Sequence, residues 1–99
     1  MAQTAVTVIA ELNARAGKED EARQLLLALL EPTRQEEGCI QYDLHEVVGA
    51  PGHFLFYENW RSRGALDAHL KTPHLESAFA RIPELFEASP RVLISNRIG

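Results

Sequence analysis

The chain has 99 residues, of which 45% are apolar and 24% charged, an ordinary composition for one globular domain. Its formal charge of −4, with arginines scattered among acidic residues, excludes the concentrated basic face of a nucleic-acid-binding protein. No apolar run is long enough to span a membrane and the first residues lack the pattern of a signal peptide, so we expect one cytoplasmic domain over residues 1–99, with neither nucleic acid nor membrane as a partner.

The first half of the chain predicts a strand followed by a helix. Residues 6–12 are rich in β-branched side chains, which is typical of a strand. From Lys18 onward, apolar side chains recur at helical spacing and form one stripe: Ala22, Leu25, Leu26, Leu29 and Leu30. Pro32 falls late in this helix, where we expect it to kink or shorten the helix, and Gly38 is a natural end.

Two strands joined by a turn come next. Residues 40–45 alternate between apolar and polar, which predicts a half-buried strand, and residues 49–52 (GAPG) predict the turn. In residues 53–60 the side chains are apolar on both faces up to Glu58. Because the helices of so short a chain can cover only one face of a sheet, the other face requires a second sheet, most simply that of another copy.

The alternation within this central strand divides its side chains between two faces. Phe54, Phe56, Glu58 and Trp60 fall on one face, and we place that face toward the helices and a cavity beneath them. A slip of the register by one residue would reverse the assignment.

The last third of the chain predicts a broken helical segment and a final strand. Ser62 is placed to cap a helix that runs to about Lys71, with Asp67 and Lys71 paired four residues apart. Thr72 and Pro73 begin a second helix with a buried stripe of four residues: Leu75, Ala78, Phe79 and Ile82.

A final strand over residues 92–94 completes the order β-α-β-β-α-β. This order predicts an α+β fold of the ferredoxin-like type with an antiparallel sheet.

Five short segments, in the first three strands and the broken helix, resemble motifs of a known family. They are residues 7–11 (TVIAE), 36–39 (EEGC) with Tyr42, 57–60 (YENW), 68–70 (AHL) and 72–74 (TPH). With them the chain resembles the antibiotic biosynthesis monooxygenase family, and within it the small quinol-monooxygenase-like members, over almost its whole length. The resemblance implies a dimeric α+β barrel, in which two subunits pack sheet against sheet and each holds a cavity between sheet and helices. It also implies oxidation of a small aromatic quinol or phenol by O2 without metal or flavin.

Such a reaction sets requirements that particular residues can meet. A phenol must lose its proton, because the anion gives an electron to O2 far more readily, so the site needs a base and an apolar cavity that excludes water. His69 is the candidate base, since the ordinary pKa of histidine is about 6.5. Glu58 is the second candidate catalytic residue, because a carboxyl in an aromatic strand needs a partner such as a histidine or an arginine. Five further residues are candidates for substrate binding: Trp60, Phe54, Phe56, His74 and Phe79.

Several alternatives stay open. Glu58, His69 and His74 could form a two-histidine, one-carboxylate metal site, but no tight ligand motif such as HExxH is present, so we expect neither metal nor cofactor. Haem degradation, known on the same fold, is disfavoured because the positions of the asparagine, tryptophan and histidine used by related haem-degrading enzymes hold Ala10, His69 and Phe79 here. Isomerisation of a small oxygenated metabolite and ligand binding without catalysis are the remaining alternatives, and fold similarity does not separate them from oxygenation.

Overall fold

The computed structural model describes residues 4–99, which form four strands and five short helices. In chain order these are β1 (Val6–Asn13), α1 (Glu19–Leu27), α2 (Leu30–Arg34), β2 (Cys39–Glu46), β3 (His53–Trp60), α3 (Arg63–His69), α4 (Pro73–Ala80), α5 (Ile82–Leu85) and β4 (Arg91–Ser95). The predicted α+β ferredoxin-like order is confirmed, with both helical segments broken into pieces. None of the helices in this described part of the chain is long and apolar enough to cross a membrane.

The four strands form one antiparallel sheet in the order β2-β3-β1-β4. β1 and β3 pair along their full length at the centre, from Val6 opposite Trp60 to Asn13 opposite His53. An irregularity between Cys39 and Gln41 shifts the register of β2 and leaves Ile40 63% exposed. The simple alternation expected for this strand therefore fails at Ile40, because a bulge adds a residue that has no partner across the ladder.

The core lies between the sheet and the helices. Phe54, Phe56, Glu58 and Trp60 are all buried, at most 5% exposed, so the predicted assignment of the two faces of β3 is confirmed. The matching face of β1, Tyr42 of β2 and the helical segments with Phe86 complete the core: Val6, Val8, Ala10, Leu12, Ala22, Leu26, Leu29, Tyr42, Leu66, Leu75, Ala78, Leu85 and Phe86.

The opposite face of the sheet carries large apolar side chains that remain exposed. Ile9 lies directly opposite Tyr57 on one side and Leu93 on the other, so the three form a row across β3, β1 and β4. Their exposed fractions are 40%, 40% and 51%. This row is the part of the sheet that the sequence predicts to need a second layer.

The first helix is shortened, as predicted from Pro32. It stops at Leu27, and Pro32 lies inside the short separate helix α2. A proline has no N–H with which to bond the carbonyl four residues earlier, so the ladder is interrupted at Ala28.

The later caps form as predicted, but one predicted ion pair does not. The hydroxyl of Ser62 accepts from the N–H of Ala65 at 3.1 Å, and that of Thr72 from the N–H of Leu75 at 3.4 Å. The predicted Asp67–Lys71 pair is wrong, because α3 already ends at His69, and Asp67 instead pairs with Arg63 at 3.1 Å.

Candidate active site

A cavity of about 90 Å³ lies between the sheet and the helices, with an almost entirely apolar wall. Among its lining residues in the described chain, only Tyr42, Glu58 and His69 carry polar side chains. Of the seven predicted site residues, four line the cavity: Phe56, Glu58, His69 and Phe79. The other three, Phe54, Trp60 and His74, are not on its wall.

Phe54 and Trp60 are buried behind the wall rather than on it. The indole of Trp60 is 0% exposed and lies against the imidazole of His69, with ring centroids 4.5 Å apart. The ring of Phe54 is 1% exposed and lies beneath the guanidinium of Arg23, 5.8 Å away. Both side chains therefore belong to the hydrophobic core and not to the cavity wall.

The imidazole of His69 is held in one orientation at the end of α3. Its Nδ1 lies 2.8 Å from Oε2 of Glu36, and the edge of the ring meets Tyr42 at a centroid distance of 5.4 Å. An ionised carboxylate can only accept hydrogen bonds, so this contact favours the tautomer with the hydrogen on Nδ1, in which Nε2 is the proton acceptor. Burial lowers the pKa of His69 below its ordinary value, although the nearby Glu36 opposes this. The lowered pKa favours the neutral ring, which is the form in which a histidine acts as a base.

Glu36 also binds the second histidine of the site. Nε2 of His74, in the first turn of α4, lies 2.8 Å from the same Oε2 of Glu36. The side chains of His69, Glu36 and His74 are 3%, 15% and 23% exposed, so the cluster runs from the buried cavity wall toward the surface.

Close packing of the α2–β2 loop on α3 places Glu36 beside His69. A Cβ atom added to Gly38 would lie 2.2 Å from Cβ of Ala65, so only glycine allows this approach. Ala65 lies one turn before His69 on the same face of α3. Thr72 then donates from its hydroxyl to the carbonyl of His69 at 2.8 Å while it caps α4.

The partner predicted for Glu58 is wrong. Its carboxyl accepts from the indole Nε1 of Trp60, two residues along the same strand, at 2.9 Å. His69 bonds to Glu36 instead. Burial raises the pKa of Glu58 to about 7, although the bond from Trp60 opposes this. Glu58 therefore gains and loses its charge near neutral pH, in the wall of an apolar cavity.

The residues that could hold a metal also differ from the expected set. His69 and His74 do come together with a carboxylate, but it is Glu36 and not Glu58. Their ligand atoms all lie within 4.8 Å of one another, so this cluster could hold a divalent cation if the hydrogen bonds gave way. The absence of a bound metal stays a prediction of the sequence.

The cavity opens to solvent on one side through an apolar rim. Phe79, predicted to be buried, is 42% exposed there, and Leu70, Val92 and Ile94 beside it are between 41% and 50% exposed. The predicted burial of Phe79 is wrong, because its side chain lies at the open side of the cavity, whose wall there includes the exposed Val92 and Ile94 of β4. It still lines the cavity.

The chain is similar to several known proteins. The model of the antibiotic biosynthesis monooxygenase family matches residues 5–81. A Mycobacterium tuberculosis protein named "Putative monooxygenase Rv0793" is 41% identical over 80 residues, which cover 81% of this chain and 78% of that protein. Its solved structure matches with a TM-score of 0.91 over 97% of both chains, at 35% identity.

Two further relatives extend the comparison. An Escherichia coli protein named "Probable quinol monooxygenase YgiN" is 35% identical over 89% of this chain and 95% of its own length. A Synechocystis protein is 33% identical over 90% of this chain, which spans 60% of that longer protein. Because the family model matches well over half of the residues, the chain belongs to the antibiotic biosynthesis monooxygenase family.

Proposed function

We propose that this protein is a monooxygenase that oxidises a small aromatic quinol or phenol with O2 and needs no metal or organic cofactor. The family supports a monooxygenase-type function, and one relative is named for a quinol. The observation that carries the finer proposal is a neutral, oriented imidazole, that of His69, in the wall of an otherwise apolar cavity.

The cavity has room for part of an aromatic ring, and its open side leads to further apolar surface. Its volume of about 90 Å³ is smaller than the engineered apolar cavity of about 150 Å³ that binds benzene in another protein, so a bound ring would extend into the exposed apolar rim. Phe56 and Phe79 provide aromatic surface within the cavity. Exclusion of water strengthens every electrostatic contact that the ring makes inside.

His69 begins the proposed reaction by accepting the phenolic proton. The O–H bond of the substrate breaks and an N–H bond forms at Nε2 of His69. The resulting phenolate then gives electrons to O2. Conversion of a phenol to a quinone, or of a quinol to a hydroxyquinone, uses one O2 and releases one water. Atoms and electrons then balance, so no outside reductant is required. We propose that the carboxyl of Glu58, which lines the same cavity, donates a hydrogen bond to a second substrate oxygen when it is protonated.

The proposed working unit is a homodimer. A second copy packed sheet against sheet would cover the row formed by Ile9, Tyr57 and Leu93, which one copy leaves exposed. Burial of apolar surface is the main driving force for such an association.

The cytoplasmic location of the protein stays a prediction from the sequence.

Oxygen uptake with a panel of small quinols and phenols tests the proposal. We expect enzyme-dependent O2 consumption, and a quinone product that contains one atom from ¹⁸O2. His69→Ala should lower kcat about 10²- to 10⁴-fold, the usual contribution of a positioned base. His45→Ala, an exposed histidine on β2, is the matched control and should have little effect.

Three results would contradict the proposal. Turnover that continues without O2 would indicate an isomerase, and binding with no turnover would indicate a ligand-binding protein. Equal activity of His69→Ala and His45→Ala would remove His69 from the reaction.

A further inference from the structure

We infer that Glu36 is the positioning residue of the site: it fixes the tautomer of His69 and stabilises the imidazolium that forms when His69 accepts a proton. His74 holds the Glu36 carboxylate in place for this task. The inference rests on the proposed function in one respect, since it assigns a role in the proton transfer proposed for His69.

Two hydrogen bonds meet at one carboxylate oxygen of Glu36. His69 Nδ1 and His74 Nε2 each lie 2.8 Å from Oε2 of Glu36. The backbone of Glu36 is fixed by two hydrogen bonds of a turn. The N–H of Glu36 donates to the carbonyl of Thr33 at 3.0 Å, and the carbonyl of Glu36 accepts from the N–H of Cys39 at 3.1 Å. A carboxylate with two donors and a fixed backbone has little freedom to turn away.

The hydrogen bond to Glu36 determines which nitrogen of His69 is free to accept a proton. The Nδ1–H group donates to the carboxylate. The opposite tautomer is disfavoured, because it would place the lone pair of an unprotonated Nδ1 against a negative oxygen. Nε2 is therefore the bare nitrogen. A ring of fixed tautomer and orientation is what a general base requires.

Glu36 also provides the negative charge that an imidazolium at this position needs. After proton transfer the imidazolium is buried, and a buried charge is costly unless a partner of opposite sign is in contact with it. Glu36 is that partner. Four titratable groups surround His69 from the packed elements: Glu36 on the loop, His74 on α4, Tyr42 on β2 and Glu58 on β3. Of these, only Glu36 contacts Nδ1.

Glu36 is not part of the cavity wall, which separates its role from substrate binding. Its loss should therefore lower kcat while KM changes little. Glu36→Gln keeps the shape of the side chain and removes the charge. Glu37→Gln makes the same chemical change at the next residue, which is exposed, and is the matched control.

The test combines NMR of the substrate-free protein with kinetics. In ¹⁵N NMR of the wild type and of Glu37→Gln, we expect His69 to carry its hydrogen on Nδ1. In Glu36→Gln the pKa of His69 should fall further, because the opposing carboxylate charge is lost, and kcat should fall at least about 10-fold with KM within about 2-fold. His74→Ala should lower kcat by less than Glu36→Gln. Thermal unfolding of each variant reports on its folding.

Each outcome bears on one of the two proposals. If wild-type His69 carries its hydrogen on Nε2, or if Glu36→Gln matches Glu37→Gln in both NMR and kcat, the role of Glu36 is wrong. A larger loss of kcat in His74→Ala than in Glu36→Gln would also overturn it. Stoichiometric divalent metal in the purified protein would overturn it too, since the same atoms would then be ligands. The expected NMR result without any O2 uptake would uphold the orientation of His69 and contradict the monooxygenase proposal alone.

Discussion

At the scale of single residues, the two carboxyl groups nearest the cavity differ because their surroundings differ. Glu36 lies in a loop, keeps some contact with solvent and accepts from two imidazoles. Glu58 lies in a central strand, is 5% exposed and accepts from one indole, and burial raises its pKa to about 7. The carboxylate of Glu36 can therefore stabilise a positive charge, and the carboxyl of Glu58, when protonated, can donate a hydrogen bond to a ligand.

The raised pKa of Glu58 predicts a pH dependence of stability. The folded protein holds the Glu58 proton more tightly than the unfolded chain, whose carboxyl has the ordinary pKa of 4.5. The stability that protonation provides is therefore fully present below pH 4.5 and is lost as the pH rises to about 7. The difference between these two pKa values corresponds to about 3 kcal/mol.

Glu58→Gln, which retains a hydrogen-bond acceptor for Trp60, should abolish the loss of stability that ionisation of Glu58 causes as the pH rises. Urea unfolding at pH 5 and pH 8 should show the variant gaining up to about 3 kcal/mol relative to the wild type at the higher pH. The exposed Glu37→Gln is the control and should follow the wild type. Parallel profiles for the wild type and Glu58→Gln would show that Glu58 ionises in the folded protein at its ordinary pKa.

At the scale of elements, the site depends on how closely the α2–β2 loop packs on α3. Gly38 meets Ala65 with no room for a side chain, and this contact brings Glu36 within hydrogen-bonding distance of His69. The sequence pattern predicts for Gly38 only the role of ending a helix. Its second role depends on the position of a helix that begins 25 residues later, at Arg63.

Gly38→Ala should destabilise the protein and separate Glu36 from His69. A methyl group 2.2 Å from Ala65 Cβ forces the backbone to move, which typically costs about 1–3 kcal/mol in a packed region. Gly64→Ala, in the first turn of α3, meets nothing nearer than 3.7 Å and should be neutral or stabilising by up to about 1 kcal/mol. Thermal unfolding of both variants measures the difference. Equal melting temperatures would mean that the loop has room to shift.

At the scale of the whole molecule, one face of the sheet is covered and the other is not. The helices bury one face, including all of Phe54, Phe56 and Trp60, while the row formed by Ile9, Tyr57 and Leu93 stays exposed. An exposed apolar row across three strands is typical of a protein interface.

Ile9→Lys, at the centre of this row, should weaken the proposed dimer. An unpaired lysine in a buried interface is costly, and we expect the dissociation constant to rise by about 100-fold or more. Leu27→Lys, at a position 43% exposed on α1, is the control and should leave association unchanged. Analytical ultracentrifugation across the micromolar range measures both. A monomeric wild type, or a dimer that tolerates Ile9→Lys, would contradict the proposed interface.

The sequence by itself determined the elements, their order and the face of β3 that is buried. Alternation in β3, the leucine stripe after Lys18, and the caps at Ser62 and Thr72 are all local patterns, in which a residue and its neighbours report on the same element. The predicted His69 also lies on the cavity wall. These features were accessible because their physical causes act over a few residues along the chain.

Only the tertiary structure decided which carboxyl group meets His69. Glu36 and His69 are 33 residues apart and lie on different elements, so no spacing pattern connects them. Glu58 was the more prominent candidate in the sequence, but its strand neighbour Trp60 already donates to it. Contacts between distant segments depend on how loops and helices pack together, here through Gly38 and Ala65, and that packing is a property of the folded chain as a whole.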